Sequence, residues 1–221
     1  MRRHLLWWGI GTLLAAIALG AYLTLDGGSD QPSRVDAWWH DLVVAARPDA
    51  LVAFSQVMNR IGGGWIAILV VPLGVAVALL IARRWRSAVF ALAAFAASAL
   101  LVQVLKQIFG RARPDDMLVL SDYGSYPSGH TANAATIAVV LCVLFPRVWM
   151  YVAGALWVLA MALSRTVLSV HWLTDTVGGA LVGASAALLI AALLLPWVRR
   201  DRDVVVALDA GRAPVPGPTA G

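Results

Sequence analysis

The sequence contains no glutamate, one lysine and one cysteine. Charged residues make up 13% of its 221 positions, against about 25% in an ordinary soluble domain. The single cysteine, Cys142, lies inside an apolar run, which excludes an intrachain disulfide and suits a small core residue. The net charge of +5 comes without the aromatic–basic interleaving that marks RNA binding, so no nucleic-acid partner is expected. Gly62-Gly63-Gly64 lacks the Lys-Ser/Thr of a phosphate loop. No His/Asp cluster completes a coordination shell around Asp115-Asp116, so these acids are expected to neutralise nearby arginines, and neither a metal nor a cofactor is expected.

What the chain has instead is apolar length. Hydrophobic residues make up 61% of it, and the mean hydropathy is +0.80. Runs such as Leu5–Leu25 and Thr176–Val198 match the ~20 residues that cross a bilayer as a helix. The expected fold is all-α: a membrane bundle of about six transmembrane helices in one domain over residues 1–200. Residues 201–221, rich in Pro, Gly and Ala after a basic start, read as a disordered tail.

Met1-Arg2-Arg3-His4 opens the first span. A cleaved signal peptide is the alternative, but the apolar run exceeds the 7–15 residues of a signal core. A polar turn region over 26–33 follows. Val35, Trp38, Trp39, Leu42, Val43 and Ala46 then recur at helical spacing, with Asp36, His40 and Asp41 on the other side. This short amphipathic helix suits the membrane–water interface, its polar side solvated. A second short helix runs to about Arg60. Further spans are expected at about Trp65–Ala82, Ser87–Phe109, His130–Phe145, Val148–Ser164 and Thr174–Val198.

Basic residues set the orientation. With the N-terminus inside, ten fall on the inner side (Arg2, Arg3, Arg83, Arg84, Arg86, Arg147, Arg199, Arg200, Arg202, Arg212) and seven outside (Arg34, Arg47, Arg60, Lys106, Arg111, Arg113, Arg165). A multi-pass plasma-membrane protein with both termini cytoplasmic is expected.

Three clusters carry the chemistry: Lys106 through Pro114, Tyr126-Pro127-Ser128-Gly129-His130, and Ser164-Arg165 with His171 and Asp175. The expected topology brings all three to the outer face. Each basic residue alone also fits an interfacial snorkelling role. Three converging positive charges (Lys106, Arg113, Arg165) instead call for an anion, and arginine binds phosphate oxygens bidentately. Ser128 and Gly129 begin a helix, where free N–H groups favour an anion. His130 beside it is a candidate general acid, although an ordinary helix start is the plain alternative. His171 and Asp175, four apart, share a helix face, so the carboxylate can fix the imidazole tautomer and raise its nucleophilicity. A simple surface pair is the alternative there. Among so many arginines, Lys106 invites a chemical reason.

Together the clusters resemble the signature of the type 2 phosphatidic acid phosphatase (PAP2) superfamily: Lys-x6-Arg-Pro, Pro-Ser-Gly-His, then Ser-Arg-x5-His-x3-Asp, complete and in order over Lys106–Asp175. The resemblance implies a metal-free membrane phosphatase. His171 would be the nucleophile forming a phosphohistidine, Asp175 its orienter and His130 the proton donor to the leaving group. Lys106, Arg113, Ser128, Gly129 and Arg165 would bind the phosphate. Substrates would be lipid phosphates such as undecaprenyl diphosphate, phosphatidate, phosphatidylglycerol phosphate or a polyprenyl phosphosugar. A lipid-phosphate binder or transporter without turnover, and a phosphotransferase, are the alternative readings.

Overall fold

A computed structural model describes residues 2–26 and 30–209, and no strand occurs among them. Hydrocarbon offers no water to backbone N–H and C=O groups, so an apolar chain must satisfy them within each segment, as helices. Among the described residues, four helices are long and apolar enough to cross a membrane: α1 (Arg2–Asp26), α5 (Trp85–Phe109), α7 (Val148–Val167) and α8 (Leu173–Asp209), the last over Leu173–Asp201. Between them lie α2 (Arg34–Ala46), α3 (Asp49–Gly62), α4 (Val71–Ile81) and α6 (Gly129–Leu144). With α6 counted as a short span and α3–α4 as a bent one, the bundle has about six.

The span expected at Trp65–Ala82 takes a different form. The pair α3 and Ile66–Ile81 qualifies as one span bent by 51°. Gly64, at φ 54°, turns the chain. Pro72 then lacks the N–H that would continue an α-helix, and its ring crowds the carbonyl four residues back. The preceding turn widens into a π-helix over Ile66–Val70, with the Val71 N–H bonded to the Ile66 carbonyl.

Helix α8 is the central staff, packed by α1, α5 and α6. Gly179 and Gly183 allow α6 to come close: a Cβ on either would strike the carbonyl oxygen of Ser128 or Ala132. This contact sets the start of α6 against the start of α8. Helix α1 lies along α8 as well, with the Ser185 hydroxyl donating to the Gly9 carbonyl at 2.8 Å. Pro196 interrupts the helix ladder and leaves the Ala192 carbonyl, four residues back, free of its usual donor. Arg2 Nε supplies one at 3.0 Å.

Helix α8 runs on to Asp209, into the segment expected as a tail, while 210–221 lie outside the described residues. Asp201 is buried and caps the N-terminus of α5. Its carboxylate accepts from the Ser87 N–H at 2.8 Å and the Ser87 hydroxyl at 3.1 Å, and pairs with Arg86 at 3.2 Å. One expectation is corrected, and it concerns α2. Its Trp38 and Val35 are exposed, as an interfacial helix requires, and so is Asp41, but Asp36 and His40 on its polar side face protein. Asp36 is fully buried, and His40 sits 3.1 Å from Asp116, which also pairs with Arg47 at 3.2 Å.

Removing the Asp201 carboxylate leaves α5 uncapped, far from the residues at the other end of the bundle. Asp201→Ala is expected to destabilise the fold by about 1–2 kcal/mol. A thermal melt in detergent should show a lower Tm, with no loss of activity below the transition.

Candidate active site

The three sequence clusters meet at one end of the bundle. Helix α5 stops at Gly110, whose left-handed backbone (φ 53°) returns its N–H to the Lys106 carbonyl. The chain then crosses the start of α8. Lys106 Nζ bonds the Gly124 carbonyl, reaches the Tyr123 carbonyl at 3.3 Å and pairs with Asp122 at 3.4 Å. Arg113 donates to the same Asp122 oxygen at 2.7 Å and to the Gly124 carbonyl at 2.9 Å. Its other terminal nitrogen lies 3.3 Å from His171 Nε2. Lys106, Arg113 and His171 thus surround one spot, held here by the Asp122 carboxylate. Burial alone would raise that carboxyl, but the charges of Lys106 and Arg113 hold it below its ordinary range.

His171 and Asp175 do pair, though not along a helix face. His171 lies in the turn before α8, and Asp175 is in its first turn. Asp175 Oδ2 accepts the Trp172 N–H at 2.8 Å, folding the turn back, and stands 3.5 Å from His171 Nδ1. That spacing is longer than a formed hydrogen bond, as is often found at catalytic pairs without substrate. A carboxylate on the Nδ1 side favours the tautomer whose proton is on Nδ1. Nε2 then carries its lone pair toward Arg113 and the spot held by Asp122.

Ser128, the residue before α6, is buried, and its backbone N–H donates to the Asp175 carbonyl at 2.9 Å. Gly129 and His130 form the first turn of α6, and both line the chamber described below. His130 Nε2 lies 3.2 Å from the Asn59 carbonyl, the distance of a donated hydrogen bond. Arg165 is nearly fully buried and turns toward α3. It donates to Asn59 Oδ1 at 2.6 Å and to the Ser55 carbonyl at 3.4 Å. Asn59 therefore contacts both Arg165 and His130.

Lys106, Asp122, Gly129, His130 and His171 share a chamber of about 1000 Å³. From there it runs along α5 between apolar walls that include Ala99, Phe95 and Leu92, with Pro72 and Leu73 opposite. Lys106 and Leu92 are fourteen residues apart on that helix, about 21 Å. Among the described residues, no group of three or more His, Cys or Asp side chains is placed to hold a metal ion.

Residues 87–199, just over half of the chain, match the profile of the PAP2 superfamily. The chain belongs to the PAP2 superfamily. An undecaprenyl-diphosphatase of Sulfolobus acidocaldarius is 28% identical over 193 residues, covering 83% of this chain and 88% of that protein. The phosphatidylglycerophosphatase B of Bacillus subtilis is 31% identical over 46% of this chain and 55% of its own. The fold matches the crystal structure of a transmembrane PAP2 type phosphatidylglycerolphosphate phosphatase from Bacillus subtilis, with a TM-score of 0.72 at 24% identity. That match covers 86% of this chain and 97% of the other. The Aquifex aeolicus LpxE structure matches at 0.60, with 24% identity over 70% of this chain and 93% of the other.

Sequence reading missed four residues at this end of the bundle: Asn59 and Asp122, and the pair Arg111 and Asp36, with Arg111 2.7 Å from both Asp36 and Asp175. Asp36 was placed on a solvated helix side, Arg111 was counted only as an outer charge, and Asn59 carried no signal. Asp122 was equally silent, being an isolated acid between two motifs.

Burial pushes the His171 imidazole down to about 4, against the raising effect of Asp175. The folded protein therefore prefers the neutral ring. As pH falls from 6.5 toward 4 the unfolded chain binds the extra proton first, so this group's contribution to stability is lost across that window. Titration of histidine-labelled protein by NMR, with His171→Ala assigning the signal, should place the midpoint well below 6.5. A midpoint at or above 6.5 would contradict the burial effect.

Proposed function

We propose that this membrane protein is a metal-independent lipid phosphatase acting through a phosphohistidine. The observation that carries the reading is the chamber: His130, His171 and Lys106 at one end, and an apolar channel along α5 at the other. That shape fits an amphiphile whose phosphate reaches His171 while its tail stays among the spans. A water-soluble phosphate ester would leave the apolar walls unused.

In this reading the phosphate displaces Asp122 from Lys106 and Arg113. His171 Nε2 attacks phosphorus, and the bond to the leaving oxygen breaks as His130 gives it a proton. Water, deprotonated by His130, then cleaves the phosphohistidine and releases phosphate. Lys106, Arg113 and the N-terminal turn at Ser128 and Gly129 stabilise the charge on the phosphoryl oxygens. Arg165 joins them by exchanging Asn59 for a phosphoryl oxygen. Asp175 orients His171 and balances the imidazolium character that develops on it.

The lipid is of the kind named for the relatives, a polyprenyl diphosphate or a phosphatidylglycerol phosphate. We assign residues 1–200 to one domain. The end carrying Arg83, Arg84, Arg86, Arg147 and Arg199 is placed in the cytoplasm, which sets the site at the extracytoplasmic face.

The test is phosphate release by purified protein in detergent, over a panel of lipid phosphates and a water-soluble aryl phosphate. Lipid substrates should be preferred, and activity should survive EDTA. His171→Ala should lose at least about a thousandfold in kcat while its melt and elution profile stay native. Loss of activity on chelation, or a fully active His171→Ala, would end this mechanism. Retention of lipid phosphate without release would make the protein a binder.

A further inference from the structure

We propose that Arg111 and Asp36 are positioning residues of the reaction: they lock the Asp175 carboxylate in the orientation that aims His171. The inference rests on the reading of His171 as nucleophile and Asp175 as its orienter.

Three charged groups lie in a row, almost without solvent. Exposure is 0% at Asp36, 3% at Arg111 and 0% at Asp175. Arg111 bridges the two acids, with Nη2 at 2.7 Å from Asp36 Oδ2 and Nη1 at 2.7 Å from Asp175 Oδ1. Arg111 Nη1 also donates to the Thr174 hydroxyl at 2.8 Å. Asp36 holds the neighbouring backbone: Oδ1 accepts the Thr174 N–H at 2.9 Å, and Oδ2 accepts the Thr174 hydroxyl at 2.7 Å. The Ser33 hydroxyl, 2.7 Å from Oδ2, completes its set.

The consequence for Asp175 is geometric. Oδ1 is taken by Arg111, and Oδ2 receives the Trp172 N–H and faces His171 Nδ1. Neither oxygen is free to swing, so the carboxylate can meet the imidazole in only one way. A buried cation on Oδ1 also keeps the group ionised, ready to balance charge on His171.

Stability alone is a poor reason to bury such a triad. Desolvating three charges is costly, and apolar side chains of similar volume often serve as well or better. The triad ends 3.5 Å from the imidazole of His171, where fixed orientation has direct value. Arg111 and Arg113, two residues apart, thus face different tasks. Arg113 meets the phosphate spot, whereas Arg111 faces away from it into the protein. Asp36 makes α2, the helix after the first span, part of the catalytic support.

The test compares Arg111→Met, Arg111→Lys and Asp36→Asn with Asp175→Asn and the double variant Arg111→Met/Asp175→Asn. Arg111→Met should lower kcat about 10- to 100-fold, as loss of an outer hydrogen-bond partner does. KM and the inhibition constant for vanadate should move less than about threefold, because Lys106 and Arg113 are untouched. Loss of the cation should also raise the midpoint of the His171 NMR titration. In the Asp175→Asn background, Arg111→Met should cost little more, since both act through one carboxylate. Arg111→Lys should recover part of kcat. If Arg111→Met fails to fold, Asp36→Asn, nearly isosteric, should still show the fall in kcat at constant KM.

A rise in KM and in the vanadate constant with kcat unchanged would make Arg111 a phosphate ligand and overturn the proposal. So would fully multiplicative losses in the double variant, or an unmoved His171 midpoint. An active His171→Ala would instead sink the nucleophile reading itself, which separates the two failures.

Discussion

The carboxylate of Asp175 is the point on which the rest of this structure depends. It is wholly buried at the first turn of α8, and a bare buried charge there would be costly. Its surroundings answer that cost from four parts of the chain. The loop after α5 brings Arg111, and α2 fixes Arg111 through Asp36. The turn before α8 brings the Trp172 N–H and His171, and the approach to α6 is tied to the Asp175 backbone carbonyl through Ser128. Each of these contacts also positions a residue of the catalytic end.

The remainder of the bundle keeps those parts in register. Gly179 and Gly183 allow α6 to lie almost backbone-to-backbone with α8, which sets His130 on the same level as His171. Tyr126 closes over Gly178 and sends its hydroxyl to the Ala16 carbonyl, so α1 belongs to the same assembly. At the opposite end, Asp201 caps α5 and the Ala192 carbonyl freed by Pro196 receives Arg2. Polar contacts are few along the spans and concentrate at their ends, as a low-dielectric surround requires.

Chemistry and shape then agree. Lys106 and Arg113 hold a carboxylate, which the proposed phosphate would replace, and that spot opens on an apolar channel. Anion-binding groups and apolar walls in a single chamber suit a lipid phosphate better than either half of such a molecule alone. The segment after the bend between α3 and α4 contributes Pro72 and Leu73 to that wall, so an irregular span helps to shape the channel.

Much of this was legible in the sequence, and for local reasons. Apolar runs of span length determine helices in a bilayer. The order of the runs places Lys106, Ser128–His130, Arg165 and His171–Asp175 at one end, and motif spacing singles out those residues. A four-residue separation brings Asp175 to His171, although the pair forms in a helix-entry turn rather than on a helix face. Tertiary structure alone decided the partners. Asp36 and Arg111 are 75 residues apart, and nothing in spacing or composition distinguishes a buried aspartate on an amphipathic helix from a solvated one. The same holds for Arg165, which faces Asn59 on α3, and for Asp201, which caps a helix begun more than a hundred residues earlier. Periodicity records which side of a helix is polar. Only packing decides whether that side meets water or another charge.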